Sequence, residues 1–275
     1  MRSTDHAAAV DFIERFLHTD LRLDRVAAGV GYSAHHLHRS FHRALGLTVH
    51  SYVRRRRLTE AARALAATPD PVLDIAVDHG FADQQSFTHA FSSFYGLPPA
   101  RWRRTRRFFP LLLPYTFDRA EWGFGRAADG FEVTDRIGAD RLLPLSLAAV
   151  DMLPVLDPEQ HTAALDARSG SHHVLTAHRG GRPAAAMTID PADGHIDYLA
   201  VHPLARGSSV VRTLLRKAGE SHPRLSVTSF REGDRADLGH RRTLLGLGFR
   251  PAPLSVEFGY PTQRFELVHA LPTDR

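Results

Sequence analysis

"FHRALGLTVHSYVRRRRL", Phe41 to Leu58, and "FSSFYGLPPARWRRTRRF", Phe91 to Phe108, decide how the first part of this chain is read. Set 50 positions apart, Phe41 falls on Phe91, Gly46 on Gly96, Leu47 on Leu97 and Tyr52 on Trp102. The register runs on through Arg54 with Arg104, and Arg56 and Arg57 with Arg106 and Arg107. Upstream, "LDRVAAGVGYSAHHLHRSF" parallels "VLDIAVDHGFADQQSFTHAF", with one extra residue after the Gly–aromatic pair. A chain that repeats itself in this way carries two copies of one structural unit.

Each copy reads as helix-turn-helix. Leu23, Val26, Ala27 and Val30 stand at helical spacing, and Gly31 then permits a tight turn. Ser33 is placed to cap the next helix, whose Leu37 and Phe41, four residues apart, face the core. In the second copy Ile75 and Ala76 take the core role, Gly80 turns, and Asp83 caps a helix buried through Phe87 and Phe91. The same periodicity leaves a polar face on each second helix. It displays His35, His36, His38 and Arg39 in the first and Gln84, Gln85, Thr88 and His89 in the second. These are side chains that read base edges: Gln bonds bidentately to adenine, Arg to guanine, and His and Thr reach either edge or a phosphate.

Charge follows the same division. Residues 1–107 hold 16 Arg against 10 acidic residues, a net of +6, whereas the whole chain carries +5. The excess positive charge sits where a nucleic acid would be met. Two domains are expected for 275 residues, and 43% hydrophobic with 24% charged residues supplies two cores. No apolar run approaches membrane-spanning length, and the absence of Cys excludes disulfides and thiol chemistry, which fits a cytoplasmic location. His38 and His42 stand four apart on one helix, but two imidazoles without an acid or third ligand do not compose a metal site, so none is expected.

Residues 8–108 resemble the AraC/XylS family of bacterial transcription regulators, on the strength of "GYSAHHLHRSFHRALGLTVHSYVRRRRLTEAARAL" and "VLDIAVDHGFADQQSFTHAFSSFYGLPPARWRR". The resemblance implies an all-α domain over 1–107 whose two helix-turn-helix units read successive major-groove faces of double-stranded promoter DNA. By position it assigns Ser33, His35, His36, His38 and Arg39 to the first reading head and Gln84, Gln85, Thr88 and His89 to the second. Arg55 and Arg104 are expected at phosphates, with others of the 54–57 cluster meeting acids such as Glu60. RNA polymerase is the expected protein partner.

After Arg107 the texture changes. "FFPLLLPYTFDRAEWGFGRAADGFEV" is broken by Pro and Gly yet apolar, and residues 108–138 are read as a linker or interdomain segment. Pro154 and Pro158 mark a break before a short helix. From 173, short apolar runs separated by Arg179-Gly180-Gly181 and Asp193-Gly194 read as hairpins, followed by strand, loop, helix, strand, helix and paired strands. The order predicts a mixed α/β sheet over 139–275.

"YLAVHPLARGSSVVRTLLRKA" and "LLGLGF" resemble the GNAT (acetyltransferase-like) fold. The resemblance implies a loop whose backbone N–H groups and helix N-terminus grip the pyrophosphate of acetyl-CoA or another acyl-CoA. It would assign that role to Leu199, Val201, Arg206, Gly207, Ser208, Ser209, Val210 and Val211. Ser209 and Val211 depart from the small residues of such loops, and Leu244 stands where a Tyr general acid is frequent. Three readings stay open: a structural turn, ligand binding without turnover by a domain that senses an effector, and an active N-acetyltransferase. Glu232, Asp234, His240 and Tyr260 are the acid–base groups at hand for the last.

Overall fold

Two helices end at glycines in the same way, and from that the first unit is built. In the computed structural model, which describes residues 3–105, 108, 110–115, 130–135, 139–149, 158–257 and 260–268, Gly31 and Gly80 have φ of 76° and 77°. The amides of Tyr32 and Phe81 reach back to the Ala27 and Ala76 carbonyls at 2.9 and 3.0 Å. A left-handed residue followed by that long backward bond closes a helix end, and glycine occupies it without steric cost.

The helices are α1 (Ser3–Arg15), α2 (Leu23–Gly29), α3 (Ala34–Leu45), α4 (Val49–Ala67), α5 (Val72–Asp78), α6 (Gln84–Tyr95) and α7 (Pro99–Thr105). The α2–α3 and α5–α6 pairs are the two expected helix-turn-helix units, joined by α4. Leu37, Phe41 and Leu45 of α3 are buried, as are Phe87, Phe91 and Tyr95 of α6. Phe41 meets Tyr52 and Phe91 meets Trp102 edge to face, each at 5.8 Å between ring centres. The repeat therefore extends from the backbone into the core.

The described residues divide into two units, one running up to Tyr115 and the other beginning at Gly130. The segment read as linker is accordingly shared out. Leu111, Leu112 and Tyr115 are buried in the first unit. The Leu111 and Leu112 amides donate to the Thr59 hydroxyl, and the Tyr115 amide donates to Tyr52 Oη at 3.3 Å. Hydroxyls on α4 thus satisfy backbone that the apolar side chains carry inside, which a solvated linker would leave to water.

The second unit is a seven-stranded sheet in the order β1-β2-β3-β4-β5-β7-β6. Its strands are β1 (Glu132–Asp135), β2 (His173–Arg179), β3 (Arg182–Ile189), β4 (His195–Val201), β5 (Arg224–Phe230), β6 (Arg250–Glu257) and β7 (Tyr260–Val268). The expected mixed α/β architecture is present, with hairpins at Gly180-Gly181 and Gly194. Strand β1, from the segment read as linker, is an edge of this sheet. Strand β6, with Pro251 and Pro253, is the other, where a missing N–H costs no ladder bond.

Only β4 and β5 run parallel, and they pair only at His195–Ser226 and Ile196–Val227. Helices α8 (Ala139–Ala149), α9 (Pro158–Ser171), α10 (Val210–Gly219) and α11 (His240–Gly246) complete the unit. Leu142 and Leu145 of α8 and Leu165 of α9 share one buried cluster with Ala186, Tyr198 and Ala200 of the sheet. No helix among the described residues is long and apolar enough to cross a membrane.

Candidate nucleic-acid interface

The reading faces start at their caps. Ser33 Oγ accepts from the His36 amide at 3.3 Å, and Asp83 Oδ1 from the Ser86 amide at 2.6 Å. Each cap satisfies an otherwise orphaned donor and fixes where its helix begins. The Asp83 carboxyl is held below its ordinary value, first by the Ser86 amide. Both helices close at a left-handed glycine, Gly46 with φ 73° and Gly96 with φ 72°.

Between cap and glycine the two faces are open. His35, His38 and Arg39 are exposed on α3, and His42 and Arg43 extend the same stripe by one turn. Gln84, Gln85 and His89 are exposed on α6, Thr88 is half-buried, and Ser92 follows it four residues on. The i, i+4 rule that placed Leu37 with Phe41 also continues Arg39 to Arg43 and Thr88 to Ser92, so these additions were available from spacing alone. His36 is the exception on α3. Its ring stacks on Tyr32 at 5.3 Å and 17°, and among the described residues its buried Nε2 has no hydrogen-bond partner. It braces the turn and does not project with its neighbours.

The Arg cluster on α4 corrects an expectation. Arg55, assigned to phosphate, is 4% exposed, with its guanidinium 5.1 Å from the centre of the Phe94 ring. A cation buried on an aromatic face cannot also reach a DNA backbone. Arg54 lies over the same ring at 5.6 Å. Arg56 is buried, pairing with Glu14 at 2.9 Å and, as expected for a member of this cluster, with Glu60 at 2.8 Å. It also donates to the Leu112 carbonyl.

Arg57 donates to the carbonyls of Leu17 and Thr19, beyond the end of α1, and to that of Gly80 in the second turn. A cation at carbonyls that follow helix C-termini is favourable, and here one guanidinium ties both copies together. The cluster is the clasp of the unit. Arg103 does similar service, donating to the Pro69 and Asp70 carbonyls. Arg104 is exposed at the end of α7, where a phosphate contact remains open to it. Arg106 and Arg107 lie outside the described residues.

In the second unit the suspected pyrophosphate loop is bonded to itself. Gly207 has φ 76°, and a Cβ there would meet nothing within 4 Å, so backbone conformation and not close approach requires glycine. The Ser208 amide donates to the Ala205 carbonyl, and Ser208 Oγ accepts from the Val210 amide at 3.3 Å. Arg206 donates to the Ala149 carbonyl at 3.3 Å. Ser209, Val211, Leu199 and Val201 are half-buried, and Val210 is buried. Leu244 is buried at the position where a general acid was sought. Of the remaining acid–base candidates, Tyr260 donates to Asp234 at 2.6 Å, while His240 and Tyr260 both pack on Phe230. Glu232 lies apart from them, 3.5 Å from Arg241.

A family described as "Helix-turn-helix domain" matches residues 14–105. The multiple antibiotic resistance protein MarA of Escherichia coli is 36% identical over 96 residues, which are 35% of this chain and 76% of MarA. The Right origin-binding protein of the same organism is 44% identical over 94 residues, 34% of this chain, and the match spans only about a third (32%) of that protein's length. A solved GNAT-family acetyltransferase from Desulfovibrio desulfuricans is 16% identical, with a TM-score of 0.42, covering 51% of this chain and 100% of that one. Duplicated turns, matched caps and these sequence relatives agree: the chain belongs to the AraC-type helix-turn-helix DNA-binding family.

Proposed function

We propose that the chain is a transcription regulator that reads an asymmetric promoter site with two heads carried on one polypeptide. The observation that carries this reading is the pair of polar stripes, one on α3 and one on α6, each held open on a matched backbone. Arg39 and Gln84 are the base readers, each supplying about 1–3 kcal/mol of discrimination when bonded bidentately to its base. Arg104 contributes to affinity without choosing sequence. The test is selection of bound sequences from a random double-stranded pool, followed by anisotropy titration of selected and random duplexes. Recovery of no preferred sequence overturns the reading.

In this proposal the second unit senses an effector or docks on a partner such as RNA polymerase, and does not transfer an acyl group. The support is chemical. Three amides of the 206–210 segment already donate locally, Arg206 to Pro203, Ser208 to Ala205 and Val210 to Ser208 Oγ, and an alkyl side chain stands where a proton would have to be passed. The loop as folded is therefore a poor grip for a pyrophosphate. Calorimetric titration of acetyl-CoA into the full chain tests this part. Micromolar binding would make acyl-CoA the sensed ligand, with Ser208 turning outward on binding. Absence of heat would place the effector elsewhere on the unit.

A further inference from the structure

Three residues that the sequence keeps apart meet at one end of the second sheet. His172 lies between α9 and β2, and its amide donates to the Arg168 carbonyl at 2.7 Å. Asp190 follows β3, its amide bonded to the His195 carbonyl and its own carbonyl to the Gly194 amide. Asp197 lies in β4 at a bulge: Thr188 pairs with Tyr198 and Ile189 with Ile196, leaving Asp197 without an opposite residue. A bulge re-aims the side chain of the extra residue. One nitrogen of His172 and one oxygen from each of the two carboxylates lie within 4.8 Å of one another.

The hydrogen bonds at this cluster pair only one of its two carboxylates with the imidazole. Ser171 Oγ donates to the Ala167 carbonyl at 3.1 Å and lies 2.8 Å from His172 Nδ1. A hydroxyl has one hydrogen, so either the Ser171 hydroxyl or an imidazole Nδ1–H donates between those two. Nε2 stands 2.8 Å from Asp197 Oδ2, itself an acceptor. A proton between these two atoms closes that contact as an ordinary hydrogen bond. A proton supplies one charge, yet Asp190 brings a second carboxylate to the same point. Among the described residues no Arg or Lys pairs with either Asp190 or Asp197.

We infer that His172, Asp190 and Asp197 form a binding site for a divalent first-row metal cation, the remaining positions being taken by water. One imidazole and two carboxylates suit Mn2+ or Zn2+ better than a thiolate-seeking metal. Ser171 acts as the outer partner that orients the imidazole. The site departs from the expectation of no metal, which considered only His38 and His42. It joins the end of α9 to β3 and β4, so an ion here would brace the second unit.

Mn2+ titration of the full chain, read by the electron paramagnetic resonance signal of the free ion, tests the proposal. The expected result is one bound equivalent that weakens by more than about tenfold in both His172→Ala and Asp190→Asn. Asn at 190 keeps the oxygen that accepts from the Ala192 amide at 2.8 Å, so the turn survives while the charge is lost. Circular dichroism of each variant confirms folding. Unchanged Mn2+ binding in Asp190→Asn, or no binding by the unaltered chain at millimolar Mn2+, overturns the inference and leaves a His–Asp ion pair.

Discussion

The two helix-turn-helix units have the same skeleton and opposite surfaces. Their turn glycines, backward turn bonds, closing glycines and edge-to-face aromatic pairs match within a few degrees or tenths of an ångström. Yet α3 presents several imidazoles and Arg, whereas α6 presents amides, a hydroxyl and the one imidazole of His89. Positions facing the core are constrained by packing density, so a duplicated unit keeps them alike. Positions facing outward are not, so the heads are free to read different bases. In the proposed function, the difference between copies is where sequence choice resides.

Four perturbations would break or sharpen that comparison. The largest effect is expected at Glu14, whose carboxylate holds two side chains of α4. Glu14 accepts from Tyr52 Oη at 2.8 Å and pairs with buried Arg56, whereas Trp102 occupies the matching place in the second copy. Glu14→Ala leaves a buried guanidinium short of its counter-charge, and a loss of about 3–5 kcal/mol is expected in urea unfolding. A loss below 1 kcal/mol, on the order of an exposed pair, would show that Glu60 alone suffices.

The turn glycines should separate next. Gly31→Ala meets open space and costs only the left-handed conformation, about 1–2 kcal/mol. At Gly80 the added Cβ would also lie 2.8 Å from Arg57 Cζ, so the cost should exceed that of Gly31→Ala and the clasp to Leu17 and Thr19 should loosen. Thermal unfolding of the two variants side by side gives the answer, and equal losses would mean Arg57 yields freely.

On DNA, Arg39→Ala and Gln84→Ala should each lower the preference for selected over random duplex by about 1–3 kcal/mol, at different base positions. Equal loss on both duplexes would remove the base-reading assignment. Arg104→Ala should reduce the salt slope by about one, while Arg55→Ala should leave the slope unaltered, being buried on Phe94.

The smallest effect separates the caps. Bonding to the Ser86 amide depresses Asp83 in the fold, so its contribution is complete above the ordinary carboxylate value and is lost as pH falls through the lowered one. Ser33 has no such titration. Amide resonances followed to low pH should show Ser86 responding in that window and His36 unaffected by its own cap.

Gly31, Gly46, Gly80 and Gly96, the caps Ser33 and Asp83, and the buried positions of α3 and α6 were all legible in the linear chain, because each depends on bonds spanning five residues or fewer. The hairpins of the second unit were legible for the same reason. The Arg cluster was not. Four consecutive Arg on a helix point four ways, and only tertiary packing brought Phe94 under Arg55, Glu14 to Arg56, and three distant carbonyls to Arg57. The residues after Arg107 read only as a linker or interdomain segment, because the partners that hold Leu111, Leu112 and Tyr115, namely Thr59 and Tyr52, lie 52 or more positions away.

Sequence by itself therefore determined the doubled unit, its caps and its outward stripes, through local periodicity and the conformational limits of single residues. Which Arg are buried, where the first unit ends, and the meeting of His172 with Asp190 and Asp197 were decided only by the tertiary structure. Charge and hydrogen bonding act across space, and spacing along the chain carries no record of what folding will bring within 4 Å.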